Sequence, residues 1–128
     1  MVKHILIIAI SFFCFNILGL AGQNRIRALE IGSSVPTVVL NHMSNYKSNS
    51  AMLSDFRGKI VIIDFWNKYC SACISAFPKM EKLQQHFGDR IQILLVTFNK
   101  RDELSHLFKN SPNVINNKLP MVFEDSTY

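Results

Sequence analysis

Asp64-Phe65-Trp66-Asn67-Lys68-Tyr69-Cys70-Ser71-Ala72-Cys73, with Pro78 five residues past the second cysteine, is the stretch that decides how this chain is read. Upstream, Ile60-Val61-Ile62-Ile63 makes 59–65 a continuous apolar run rich in β-branched residues, which predicts a central strand buried on both faces. Downstream, Ile74, Phe77, Met80, Leu83 and Phe87 recur at three- and four-residue spacing, with Lys79, Glu81, Lys82, Gln84 and Gln85 between them. That spacing predicts an amphipathic helix over 70–87, ended by Gly88. Pro78 falls inside it, where a missing backbone N–H predicts a kink. The strand thus delivers Cys70 to a first helical turn, where unpaired N–H groups and the positive end of the helix dipole favour a thiolate. Cys70 is the candidate nucleophile. Cys73, close enough to close a disulfide with Cys70 and on the inner side of the helix, is the candidate resolving thiol.

The rest of the chain continues an α/β pattern. Residues 91–98 read as a second buried strand and 101–109 as a second helix, with Asp102 and Glu103 suitably placed in its first turn. A β-α-β order with a helical crossover implies parallel pairing. Residues 35–40 read as a short strand, 41–50 as a loop or weak hairpin, and 111–118 as a loop. Leu119-Pro120-Met121-Val122-Phe123 reads as another short extended segment, and 124–128 as a helix start capped by Asp125 or Ser126.

From about residue 31 to residue 98 the sequence resembles the thioredoxin-fold family, and within it the secreted bacterial TlpA-like and ResA-like thiol-disulfide oxidoreductases. The resemblance rests on the strand, the CxxC at Cys70 and Cys73, the position of Pro78, and two lead-in stretches, Ile31-Gly32-Ser33-Ser34-Val35-Pro36 and Leu53-Ser54-Asp55-Phe56-Arg57-Gly58-Lys59. Tyr69 stands where that family usually has a second tryptophan, and an aromatic there is expected still to cover the disulfide. The resemblance implies a thioredoxin-like fold, a central mixed sheet flanked by helices. It matches Asp64 to the family's buried acid, a candidate proton acceptor for Cys73, whose apolar surround favours the neutral carboxyl and lifts its pKa into a useful range. It places Trp66 beneath the active-site loop, and Tyr69 and Pro78 as supporting residues. Family members continue into a short helix, a strand entered through a cis-proline that faces the CxxC, an edge strand and a closing helix. Against that pattern the chain reads as C-terminally incomplete after the second crossover. Pro120 is either that cis-proline or part of the preceding segment with the cis-proline strand absent; absence is the expectation, with an apolar sheet edge exposed as its consequence.

The N-terminal segment is unlike the remainder. Met1-Val2-Lys3-His4 is basic, residues 5–20 are almost wholly apolar, and Gly19-Leu20-Ala21 offers small residues at the positions a signal peptidase reads. The expectation is a signal peptide over 1–21 and a thioredoxin-like domain over 22–128. The alternative is an uncleaved anchor, but the run falls short of the roughly 20 residues a spanning helix needs, and Asn16 interrupts it. Cys14 lacks the small-residue context of a lipoprotein cysteine. Removing the segment leaves two cysteines, both in the CxxC, which makes the pair catalytic rather than a structural staple and places the protein in a periplasmic or extracytoplasmic compartment. The remaining thirteen Lys and Arg against nine acids are scattered, with none of the blocks or aromatic interleaving that track nucleic acid.

These readings converge on a monomeric enzyme that reduces or exchanges disulfides in extracytoplasmic proteins, needs no metal or organic cofactor, and takes electrons from a membrane thiol donor. Lys68 is placed to act on the thiolate electrostatically, though an exposed lysine usually does little. Three rivals stand beside it. A structural zinc site needs four ligands, and no second CxxC or close histidine pair exists among His42, His86 and His106. A peroxiredoxin-like peroxidase shares the fold and lead-in but normally uses a lone cysteine after a threonine-containing turn. A non-catalytic thioredoxin-fold remnant would carry an ordinary Cys70 thiol with pKa near 8.5, whereas an assembled site depresses it to about 7 or lower.

Overall fold

The computed structural model describes residues 28–124. The chain divides into two compact units, Met1–Val35 and Pro36–Tyr128. In the first, the described residues form a turn in which the Ser33 N–H donates to the Glu30 carbonyl at 3.0 Å, with Gly32 at φ 89°. The expected signal peptide and the helix start at Asp125 or Ser126 lie outside the described residues. Among those described, no helix is long and apolar enough to cross a membrane.

In the second unit the order is β1 (Val39–Leu40), β2 (Met43–Ser44), β3 (Ala51–Met52), a 3₁₀ turn (Leu53–Phe56), β4 (Ile60–Phe65), α1 (Ser71–Phe87), β5 (Ile91–Val96), a 3₁₀ turn (Asp102–Leu104), α2 (Ser105–Asn110), α3 (Pro112–Ile115) and β6 (Met121–Val122). The main sheet runs β2-β6-β5-β4; β4 and β6 lie parallel to β5, and β2 is antiparallel to β6. β1 and β3 form a separate antiparallel pair. Parallel pairing of β4 with β5, through the α1 crossover, follows the expectation from sequence, and the sheet is mixed and flanked by helices as expected.

The core lies on both faces of β5. Ile91, Ile93 and Leu95 pack with Trp66, Ile74 and Phe77 on the side covered by α1, while Leu94 and Val96 pack with Leu40, Ala51 and Phe56 on the other. Full burial of a central Leu, Ile or Phe contributes roughly 1.5–3 kcal/mol each, so this two-sided strand anchors the fold. α1 forms over the length the apolar spacing predicts. It opens on Cys70 as N-cap, runs across Pro78 without a break, and closes at Gly88, whose positive φ of 54° is one that glycine adopts at least cost.

Four expectations change. β4 is the outer strand of the described sheet and only half-buried, and the strand enclosed on both faces is β5; an apolar run alone does not say which of two parallel strands lies inside. The 41–50 segment contributes β2 to the main sheet, with Met43 opposite Val122 and Ser44 opposite Met121, because Asn45 at φ 56° turns its amide onto the carbonyls of Asn117 and Leu119 at 2.8 and 3.2 Å. The 101–109 helix begins as a 3₁₀ turn and becomes α-helical only from Ser105, and the 111–118 loop contains α3, started by Pro112 at its first position. Pro120, by contrast, follows the expectation: the peptide bond before it is trans and the Pro120 carbonyl accepts the Leu95 N–H at 2.9 Å, so it belongs to the segment leading into β6 and is not a cis-proline.

β6 spans only the upper end of β5, from Leu95 to Val96. Lower down the same edge, the side chain of Gln84 on α1 replaces a strand: its Oε1 accepts the Ile93 N–H at 2.9 Å, and its Nε2 donates to the Ile91 carbonyl at 3.0 Å and the Gly88 carbonyl at 2.9 Å. One glutamine thereby satisfies a buried donor and acceptor that would each cost about 1–3 kcal/mol if left unpaired. Gln84→Leu keeps the volume and removes both bonds. Urea unfolding is expected to show a loss of about 1–3 kcal/mol, with Gln85→Leu, on the exposed side of the same helix, close to unchanged.

Candidate active site

The segment between β4 and α1 is built by short-range turns and tethered from outside. Asn67 makes an Asx turn, its Oδ1 accepting the Tyr69 N–H at 2.9 Å, and its carbonyl accepts the Cys70 N–H at 3.0 Å. The Trp66 N–H donates to the Val96 carbonyl at 3.0 Å, extending the β4–β5 ladder by one residue. These bonds aim the chain so that Cys70 arrives as the N-cap of α1 with its carbonyl accepting the Ile74 N–H at 3.1 Å.

Cys70 and Cys73 are joined in a disulfide with their Cα atoms 5.3 Å apart. The Cys73 N–H donates to Cys70 Sγ at 3.2 Å. Both cysteines are half-buried, and Ser71 and Ala72 between them are exposed. A first-turn N–H directed at sulfur, reinforced by the dipole of a 17-residue helix, is the arrangement that stabilises negative charge on Cys70 when the pair is reduced.

The other expected residues fall at different depths. Asp64 lies opposite Leu95 in the ladder, and Leu95 belongs to the α1-side core, so Asp64 projects to the face that α1 covers, the same core against which Cys73 packs. Burial there pushes its carboxyl above the usual carboxylate range, and no hydrogen bond or ion pair to it forms among the described residues. Trp66 is buried in the α1-side core with its ring edge-on to Phe77 at 5.2 Å, while its Nε1 has no hydrogen-bond partner among the described residues, so packing holds it. Tyr69 is 83% exposed, with the Lys68 ammonium 5.3 Å from the centre of its ring. Pro78, five residues past Cys73, is exposed on α1.

The structure adds residues that the sequence did not single out. Asn99 is buried in the loop after β5; its Oδ1 accepts the Lys68 N–H at 3.0 Å, and its Nδ2 donates to Glu103 Oε2 at 3.0 Å. Thr97 fixes it, with its Oγ1 accepting the Asn99 N–H at 3.2 Å and lying 3.3 Å from Oδ1, and the Asn99 carbonyl accepts the Glu124 N–H at 3.2 Å. The Lys68 ammonium pairs with the same Glu103 oxygen at 2.9 Å. That bond, then the one from Asn99, holds the Glu103 carboxyl below the usual range, and the bond to Glu103 raises Lys68. Lys68 is therefore engaged across the loop, a change from its expected role beside the thiolate. Glu103 read in sequence only as a first-turn acid, and the sole hint of Asn99 was a pair of polar residues, Thr97 and Asn99, closing an apolar strand.

Comparison with known proteins agrees with this geometry. The chain is 27% identical over 99 residues to the thioredoxin-like protein YneN of Bacillus subtilis, covering 77% of this chain and 56% of that one. It is 30% identical over 111 residues to the thiol-disulfide oxidoreductase ResA of the same organism, covering 86% of this chain and 58% of that one. Among solved structures, the thioredoxin domain of a thiol-disulfide oxidoreductase from Bacteroides vulgatus superposes with a TM-score of 0.57 at 27% identity, over 78% of this chain and 69% of that one. The chain thus spans less than two thirds of the length of these two Bacillus proteins. Residues 31–126 match the AhpC/TSA family. With a thioredoxin-like fold and relatives that are thiol-disulfide oxidoreductases, the chain belongs to the AhpC/TSA family.

Proposed function

We propose that this protein is a thiol-disulfide oxidoreductase that reduces or exchanges disulfides in proteins outside the cytoplasm. The observation that carries the reading is Cys70 at the N-cap of α1, bonded to Cys73 and receiving the Cys73 N–H. In the reduced pair the Cys70 thiolate attacks one sulfur of a substrate disulfide. A Cys70–substrate bond forms, the substrate S–S bond breaks, and one substrate thiolate leaves. Cys73, once deprotonated, attacks Cys70 Sγ; the Cys70–Cys73 bond forms and the second substrate thiolate leaves. Two electrons pass from the pair to the substrate, and the protons of the two thiols end on the solvent or the products.

Asp64 is the acceptor we assign to the Cys73 proton, supported by its place on the α1-side face and its raised pKa. Trp66 forms the floor of the loop, and Tyr69, exposed at its rim, meets the incoming substrate. Each turnover as a reductase consumes two electrons, which a membrane thiol donor would return. Export rests on the basic and apolar N-terminal segment, with Gly19 and Ala21 at the cleavage positions.

Alkylation of the reduced full-length chain by iodoacetamide, followed by pH and resolved by mass spectrometry, tests the reading. Cys70 is expected to label fast with a midpoint at about 7 or below, and Cys73 slowly. Equal, slow labelling of both with a midpoint near about 8.5 would make the chain a non-catalytic remnant. In Cys73→Ser, a disulfide-containing protein should accumulate as a mixed disulfide on Cys70.

Asp64 gives a second test with a definite sign. Its folded pKa lies above the unfolded value, so the folded state binds the proton more tightly, and the ionised carboxylate lowers stability as pH rises through the folded pKa. Asp64→Asn is therefore expected to melt higher than wild type at pH 7, with the gap closing as pH falls to about 4, while the resolution step slows. A variant that melts lower at pH 7 would contradict the burial argument.

A further inference from the structure

We infer that Glu103, oriented by the buried carboxamide of Asn99, is a positioning residue that withholds the Lys68 ammonium from the Cys70 sulfur and so restrains the reactivity of the pair. The inference rests on Cys70 being the nucleophile proposed above. Lys68 is two residues before Cys70, closer in sequence than any other cation. A free ammonium there would favour the thiolate, and hence the reduced pair.

The loop after β5 holds this lysine at two points. Its backbone N–H goes to Asn99 Oδ1 at 3.0 Å and its Nζ to Glu103 Oε2 at 2.9 Å. An exposed ion pair is ordinarily weak because two flexible side chains must be ordered to make it. Here the acceptor is ordered in advance. Asn99 is 3% exposed, is fixed by Thr97, and donates at 3.0 Å to the same carboxylate oxygen that receives Lys68. Of the neighbouring charges, Arg101 lies 5.4 Å from the rings of Phe108 and Phe123, and Asp102 accepts the Glu103 N–H at 2.9 Å. The arrangement presents Cys70 with a neutralised pair in place of a bare cation. No bond to sulfur is needed for this effect, only the position of one charge.

The test uses the full chain as wild type, Glu103→Gln, Lys68→Met and the double variant. Each is measured for Cys70 alkylation rate at pH 7, for the thiol-disulfide equilibrium with glutathione, and for melting midpoint. Glu103→Gln is expected to raise the alkylation rate by about two- to fivefold and to shift the equilibrium toward the dithiol by a similar factor. The gain should be largest near 0.01 M ionic strength and nearly gone at about 1 M, because the Debye length falls from roughly 30 to 3 Å. In the Lys68→Met background the same substitution should change nothing. A Glu103→Gln variant that matches wild type, that changes equally without Lys68, or whose change persists at high salt overturns the inference and leaves the oxidoreductase reading intact. Equal and slow labelling of Cys70 and Cys73 in wild type overturns both.

Discussion

Enclosing β5 on every side is the constraint on which the rest of this structure depends. Its side chains alternate between two apolar layers, so both faces must be covered, and its peptide groups must be paired along both edges because no water reaches them. β4 supplies one edge along the full length from Ile91 to Val96. The other edge is shared between β6, which reaches only Leu95 and Val96, and the carboxamide of Gln84. A helix side chain finishing a sheet edge couples α1 to β5 more specifically than apolar packing does, since a hydrogen bond has a fixed register and a hydrophobic contact does not.

That coupling reaches the cysteines. α1 carries Cys70 and Cys73 at its start and Gln84 near its end, so fixing its lower half against β5 fixes the placement of its first turn. At the upper end, the Val96 carbonyl takes the Trp66 N–H and the Asn99 side chain takes the Lys68 N–H. The loop that delivers Cys70 is therefore held by the chain leaving β5, far away in sequence. Such tethering suits the role proposed for the pair, in which it closes and reopens without the helix start shifting, because a preset geometry avoids the ordering cost at each cycle.

How far the site was legible in sequence can be argued residue by residue. Cys70, Cys73, Asp64 and Trp66 lie within one short stretch whose geometry is local: a strand, an Asx turn at Asn67, and a helix start. The family resemblance singled out Asp64, and helix spacing alone made Ile74 and Phe77 core. Asn99 and Glu103 were not legible, because their importance consists of contacts with Lys68 across roughly thirty residues, and nothing in the spacing of Thr97, Asn99 and Glu103 announces them. Lys68 was misjudged for the same reason, its nearest functional group in sequence being the thiol and its partner in space being a carboxylate.

The fold shows the same division. Periodicity and the closing glycine determined that 59–65 would be a strand, that 70–87 would be an amphipathic helix ended by Gly88, and that the crossover would make the pairing parallel, since each depends on residues within one or two turns of each other. Only the tertiary structure decided that β5 and not β4 is enclosed, that Met43 and Ser44 join the main sheet, and that Pro120 leads into a strand beside β5 through a trans peptide. Those outcomes turn on which edges and faces find partners far along the chain, and an apolar run reads alike in every such arrangement.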